Sequence, residues 1–180
     1  MNVNDILSKA LALLGVEDVT VSAGSTDPRL ARLVTALGVA YMRLITEYAP
    51  IEKEASVTVT GGSCDLSTLD QPLFDAVRLT EDGGNTAVPF RLRGRTLMAR
   101  DGSYTLRYYA LPSAYPAVGG SVEVSPKVTL DLFARGVAAE YAMASMMYEE
   151  SLLHERKYKE GLMKALTPHA TKTFSIKRWI

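Results

Sequence analysis

The hydrophobic pattern of this chain changes period twice, and no other feature restricts its fold as strongly. Up to Pro50 the apolar residues recur at helical spacing; from there to Pro126 they alternate; beyond Pro126 the helical spacing returns. A helical period cannot line one face of a strand, nor a period of two one face of a helix. The chain is therefore expected to be α+β: a bundle of about three or four helices with an antiparallel β block inserted between the second and third. Residues 1–166 are read as a single α+β domain, helical over 1–50 and 127–166 with the β block over 51–126, and 167–180 as an extended C-terminal arm.

The first helix is placed at about Asp5 to Leu14, because Ile6, Leu7, Ala10, Leu11 and Leu14 share one face. Asn4 suits its N-cap, and Gly15 the left-handed position after its end. The second helix is capped by Thr26 or Asp27, has Pro28 in its first turn, and ends at Pro50. Leu30, Leu33, Val34, Leu37, Tyr41, Leu44, Ile45 and Tyr48 form its apolar stripe. In the β block, Gly61-Gly62, Asp82 to Asn85, Gly94 and Asp101-Gly102 mark turns between short strands, with Asp-Gly read as a hairpin. GGSCDLS (Gly61 to Ser67) and GGSVEVS (Gly119 to Ser125) are read as two similar turn-plus-strand units. Pro112 and Pro116 stop the strand that holds Tyr104 to Tyr109. The final helical stretch runs from Lys127 to about Leu166, with a stripe through Phe133, Val137, Tyr141, Ala144, Tyr148 and Leu152. Ala134, Ala138, Ala142 and Met146 widen that stripe. Unbroken, this helix would span roughly 60 Å at about 1.5 Å per residue. A break is expected at Glu149 to Ser151, where the composition turns polar.

Twenty basic and twenty acidic residues cancel, which argues against a general nucleic-acid binder. The single cysteine, Cys64, has no partner for an internal disulfide, as suits a reducing compartment. Asp5 lies where a signal peptide would be basic, and no apolar run reaches the roughly 18 residues of a membrane span. The expected product is a soluble protein made in the cytoplasm, without membrane contact.

No catalytic or metal-binding constellation is legible. His154 and His169 are the only histidines; both are read as solvated. No CxxC or HExxH spacing occurs, so neither a metal nor a cofactor is expected. Glu81 to Asn85 lacks the residues of a phosphate loop, and Glu149, Glu150 and Glu155 sit among basic neighbours on what reads as a charged, solvated helix face. Arg91, Arg93 and Arg95 alternate and share one face of a regular strand; that face meets solvent, a partner, or the wall of a channel near DNA. From Thr167 onward three basic residues and no acids accompany Phe174, Ile176, Trp179 and Ile180. Such an end either packs on its own domain or docks on a neighbour; it is read here as an arm, docking by strand addition, with Phe174, Ile176, Lys177, Arg178, Trp179 and Ile180 as its contact residues.

These features fall in an order that resembles one family. Ile6, Ala10, Leu11 and Gly15 mark the first helix, and a long second helix is rich in Tyr, Leu and Arg. The β block ends in Y-x-L-x-Y-Y-x-x-P (Tyr104 to Pro112). VEVSP (Val122 to Pro126) then leads to a helix with V-A-A-E-Y (Val137 to Tyr141) and a later Y-x-E-x-L (Tyr158 to Leu162). The chain resembles the head-to-tail connector, or neck adaptor, proteins of tailed bacteriophages, including the tubular adaptors of short-tailed phages. Many of those relatives carry a Trp after the second helix, where this chain has YAPIEK (Tyr48 to Lys53). The resemblance implies a non-enzymatic structural protein of the virion neck or tail. It implies a homo-oligomeric ring, commonly a dodecamer, that joins the portal protein to the next tail component, with DNA only as non-specific channel content. Two other classes remain open from the residues alone. One is another neck or tail component, such as a tail terminator or a head-completion protein; the other is a small-molecule-binding α+β domain.

Overall fold

A computed structural model describes residues 1–16 and 18–167. Among the described residues, four α-helices and two small antiparallel sheets make an α+β fold, with all six strands between the second and third helices. Helix α1 spans Val3–Leu13 and starts two residues before the expected Asp5. Asn2 is its cap, its side chain accepting from the Asn4 N–H at 2.8 Å. Asn4 is engaged elsewhere: its side-chain oxygen accepts from the Gly119 N–H at 2.8 Å. Gly15 takes φ 67°, the left-handed position expected of it.

Helix α2 spans Pro28–Arg43, with the Asp27 carboxylate accepting from the Arg29 N–H at 2.8 Å and Pro28 in the first turn. One wider π-helical turn, Leu44–Tyr48, extends it to Pro50. Leu30, Leu33, Leu37, Tyr41, Leu44 and Ile45 are buried as the stripe requires, while Val34 and Tyr48 sit at its margin.

The last helical stretch is a hairpin. Helix α3 spans Leu130–Ala144, capped by Thr129, and α4 spans Tyr148–Leu166. The break therefore falls at Ser145–Met147, ahead of the expected Glu149 to Ser151. Met147 N–H donates to the Ala142 carbonyl at 2.9 Å and Met146 N–H to that of Met143 at 3.1 Å, with Met146 left-handed at φ 60°. This is the Schellman closure, made without the glycine that usually marks it. Reversal there ends the expected stripe at Tyr141: Ala144, Tyr148 and Leu152 are exposed, and so is Met146. Two glycines let the hairpin close. A Cβ at Gly136 would stand 2.9 Å from the Tyr158 ring, and one at Gly161 would stand 2.4 Å from Leu132.

Strands β1 (Ile51–Val59), β3 (Leu73–Glu81) and β6 (Gly102–Ala110) form the larger sheet in the order β1-β6-β3. Strands β2 (Ser63–Asp65), β4 (Arg91–Arg93) and β5 (Thr96–Met98) form the smaller one in the order β2-β5-β4. The Asp101-Gly102 step joins β5 to β6 in different sheets, so it is not the expected hairpin; the Asp101 carboxylate instead accepts from the Gly62 N–H at 2.7 Å. Gly94 does turn a two-residue hairpin, between β4 and β5, at φ 59°. GGSVEVS forms no strand, only a single bridge from Ser121 to Asn2, because its partner is the start of α1 rather than another strand.

The buried apolar residues form two clusters. One joins α1, α2, α3 and α4; the other lies within the β block around Leu79, Leu97, Leu106 and Tyr108. Strand β6 ends at Ala110, and the segment with Pro112 and Pro116 turns back to the helices. There Tyr115 lies over Gly38, and the Tyr41 hydroxyl donates to the Glu123 carbonyl at 2.8 Å.

Candidate functional site

His154 is buried, contrary to the expectation of a solvated residue. It belongs to a stripe of α4, Ser151, His154, Tyr158 and Leu162, that packs inward. The Ser151 hydroxyl donates to the Ala139 carbonyl at 3.0 Å across the hairpin. His154 Nδ1 and the Tyr158 hydroxyl are buried without a hydrogen-bond partner. Burial first, then the charges of Arg135 and Lys157, holds the His154 pKa below its ordinary value; burial pushes the Tyr158 phenol well above its own. A histidine enclosed in this way packs the hairpin.

Glu155 does not lie on a solvated face either. Its carboxylate meets Arg43 at 3.2 Å and Lys159 at 2.8 Å, and the hydrogen bond from Lys159, chiefly, holds it below the usual carboxylate range. Arg43 also reaches Glu140 at 2.9 Å and Glu47 at 3.4 Å, so one guanidinium ties α2 to both arms of the α3–α4 hairpin. Among the described residues no group of three His, Cys, Asp or Glu side chains is placed to hold a metal ion. The Glu81 to Asn85 stretch is a turn, with Gly83 at φ 71° and the Gly84 N–H donating to the Glu81 carbonyl at 3.0 Å.

The arginines occupy the β4–β5 hairpin of the smaller sheet. Arg91 and Arg93 are two residues apart on β4, at the edge of the smaller sheet, and both are exposed. Arg95 stands beyond Gly94 in the turn, so the three do not share one strand face as the alternation suggested. Gly83 to Arg100 contains four arginines and no acid. Among the described residues no carboxylate pairs with Arg91, Arg93 or Arg95 within 4.0 Å. Leu92 and Met98 are exposed on the same hairpin. The arrangement offers exposed positive charge and some apolar surface to an anionic partner, without an enclosed geometry that would select one small molecule.

The other predicted contact residues, Phe174, Ile176, Lys177, Arg178, Trp179 and Ile180, lie outside the described residues, as does His169. Two apolar surfaces escaped the sequence reading. The outer side of the α3–α4 hairpin exposes Met143, Met146, Tyr148, Leu152 and Met163. A groove of about 510 Å³ runs between Val34, Val39 and Met42 of α2 and Tyr115. The first was hidden because Tyr148 and Leu152 continue the period of a stripe that the reversal at Met146 cuts. The second needs the return of the 112–116 segment, which no local pattern announces. Compared with known proteins, the chain matches no family model, and no curated protein aligns with it significantly.

Proposed function

We propose that this chain is a non-enzymatic structural protein of a bacteriophage neck. Its copies form a ring, commonly of twelve in proteins it resembles, that joins the portal to the next tail component and surrounds the DNA channel. The observation that carries the reading is the placement of the β block. It is inserted between α2 and α3, has an apolar core of its own, and bears a hairpin with Arg91, Arg93 and Arg95 exposed. That division of labour suits a ring subunit, with the helical body packing against neighbours and the β block projecting toward a partner or the channel. The exposed apolar side of the α3–α4 hairpin and the α2–Tyr115 groove supply surfaces for the neighbours. The neutral net charge fits a protein that encloses DNA without gripping it. The place of action is the virion neck or tail, after synthesis in the host cytoplasm.

The test is co-purification. The tagged chain, mixed with disrupted particles of its own phage, should retain the portal protein or the adjoining tail component. Retention of neither would overturn the reading.

A further inference from the structure

We infer that the free edge of β1 receives the chain's own C-terminal segment as an added strand, supplied by a second copy. The inference rests on the reading of residues 167–180 as a docking arm and adds where that arm goes. Strand β1 pairs with β6 over nine residues in unbroken register, from Ile51↔Ala110 to Val59↔Gly102, and stands at the outside of its sheet. Among the described residues no strand pairs with its other side over Ile51–Val59, and the one bridge nearby, Thr60↔Ser63, lies just beyond its end, so a row of backbone donors and acceptors is open along the strand. The opposite edge, β3, is a poor template. Its register shifts twice, and Ala87 and Val88 already cover it at Thr80 and Leu79.

A groove of about 460 Å³ runs along Glu54–Thr58 of this edge. Its far wall carries Cys64, Asp65 and Asp70, so that with Glu54, which Arg107 also meets at 3.7 Å, three carboxylates and no basic residue line it. The segment from Thr171 to Lys177, T-K-T-F-S-I-K, is complementary in each respect. It alternates as a strand does, with Lys172, Phe174 and Ile176 on one parity and Thr171, Thr173 and Ser175 on the other. It holds no proline, and Lys172, Lys177 and Arg178 bring positive charge without an acid. Strand addition draws its affinity from the main chain and its selectivity from alternate side chains and charge. Residues 168–180 extend at most about 43–47 Å. Helix α4 delivers the segment from the helical core, whereas the groove belongs to the β core. Passed in one direction from copy to copy, such an exchange is a head-to-tail contact, which makes a ring where the rotation closes.

Cys64, the only cysteine, lines the groove and serves as the trap. Cysteines are placed one at a time at Thr171, Lys172, Thr173, Phe174, Ser175 and Ile176 of the full chain, which is then oxidised. A disulfide needs Cα atoms about 4.4–6.8 Å apart, so a docked strand should cross-link at one parity and fail at the other. The products should be covalent oligomers, absent when Cys64→Ser is added and formed several-fold more slowly with Glu54→Lys and Asp70→Lys together. Cross-linking no better than from a control cysteine at exposed Ser22, or without alternation, would overturn the inference. A disulfide confined to monomers would contradict exchange between copies. The assay contains no portal, so its failure leaves the neck reading to be judged by co-purification.

Discussion

At the residue scale, two buried or strained positions have measurable consequences. Met146 is the one described non-glycine residue with positive φ, and its side chain is exposed. The left-handed conformation costs a residue with a Cβ roughly 1–2 kcal/mol. Met146→Gly should therefore raise stability by about 1 kcal/mol in chemical denaturation, part of the relief being offset by unfolded-chain entropy. A loss of stability would mean that the Met146 side chain makes a contact worth more than the strain. His154 makes the fold sensitive to acid. Its pKa is lowered in the folded chain, so the unfolded chain binds the proton first. Stability should be full above the ordinary histidine value near 6.5 and fall as the pH drops below it toward the lowered folded value. His154→Leu should flatten the melting temperature between pH 7 and 5. Glu155 and Asp131, also held low, lose their contribution only below about pH 4.5, so the two effects separate. An unchanged slope in the variant would assign the acid sensitivity to another group.

At the element scale, Arg91, Arg93 and Arg95 sit on an exposed hairpin whose closing pairs are Arg91↔Met98 and Arg93↔Thr96. Reversing all three to glutamate should change stability by no more than about 0.5 kcal/mol per site. It should nevertheless cut particle assembly sharply, as judged by the yield of tailed virions in complementation. Normal yield would make the hairpin an ordinary solvated surface. The elements themselves were largely legible. The caps at Asp27 and Gly15, the prolines at 28 and 50 and the changes of period place both ends of α1, both ends of α2 with its π-helical turn, and the end of α4 within two residues, and confine the strands to one block. The inward side of α4 was not legible, because its buried stripe is Ser151, His154, Tyr158 and Leu162, two of them polar types that a hydrophobic count discards. The partition of strands between two sheets was not legible either: Asp101-Gly102 has the local chemistry of a hairpin, while Leu97, fully buried in the β core, draws β5 away from β6.

At the scale of the whole molecule, the described cores are built from residues up to Leu166. Deleting residues 168–180 should therefore leave the melting temperature of the isolated chain nearly unchanged and abolish its incorporation into particles. Unfolding of the truncated monomer would place the segment in its own core and end the arm reading. Residue patterns could point to this segment as an interaction element, since Phe174, Ile176 and Trp179 together gather more apolar area than a chain end normally exposes. Its destination needs geometry, because the acidic groove beside β1 is assembled from residues 54–58 and 64–70 that are adjacent only once the β block has folded. Negative-stain imaging of the full chain mixed with its portal decides whether this chain is a ring subunit seated on a portal. The expected image is a ring of fixed subunit number bound to one face of the portal, in line with the portal axis. A chain that stays monomeric beside an unaltered portal, at concentrations that support tail assembly, would contradict it.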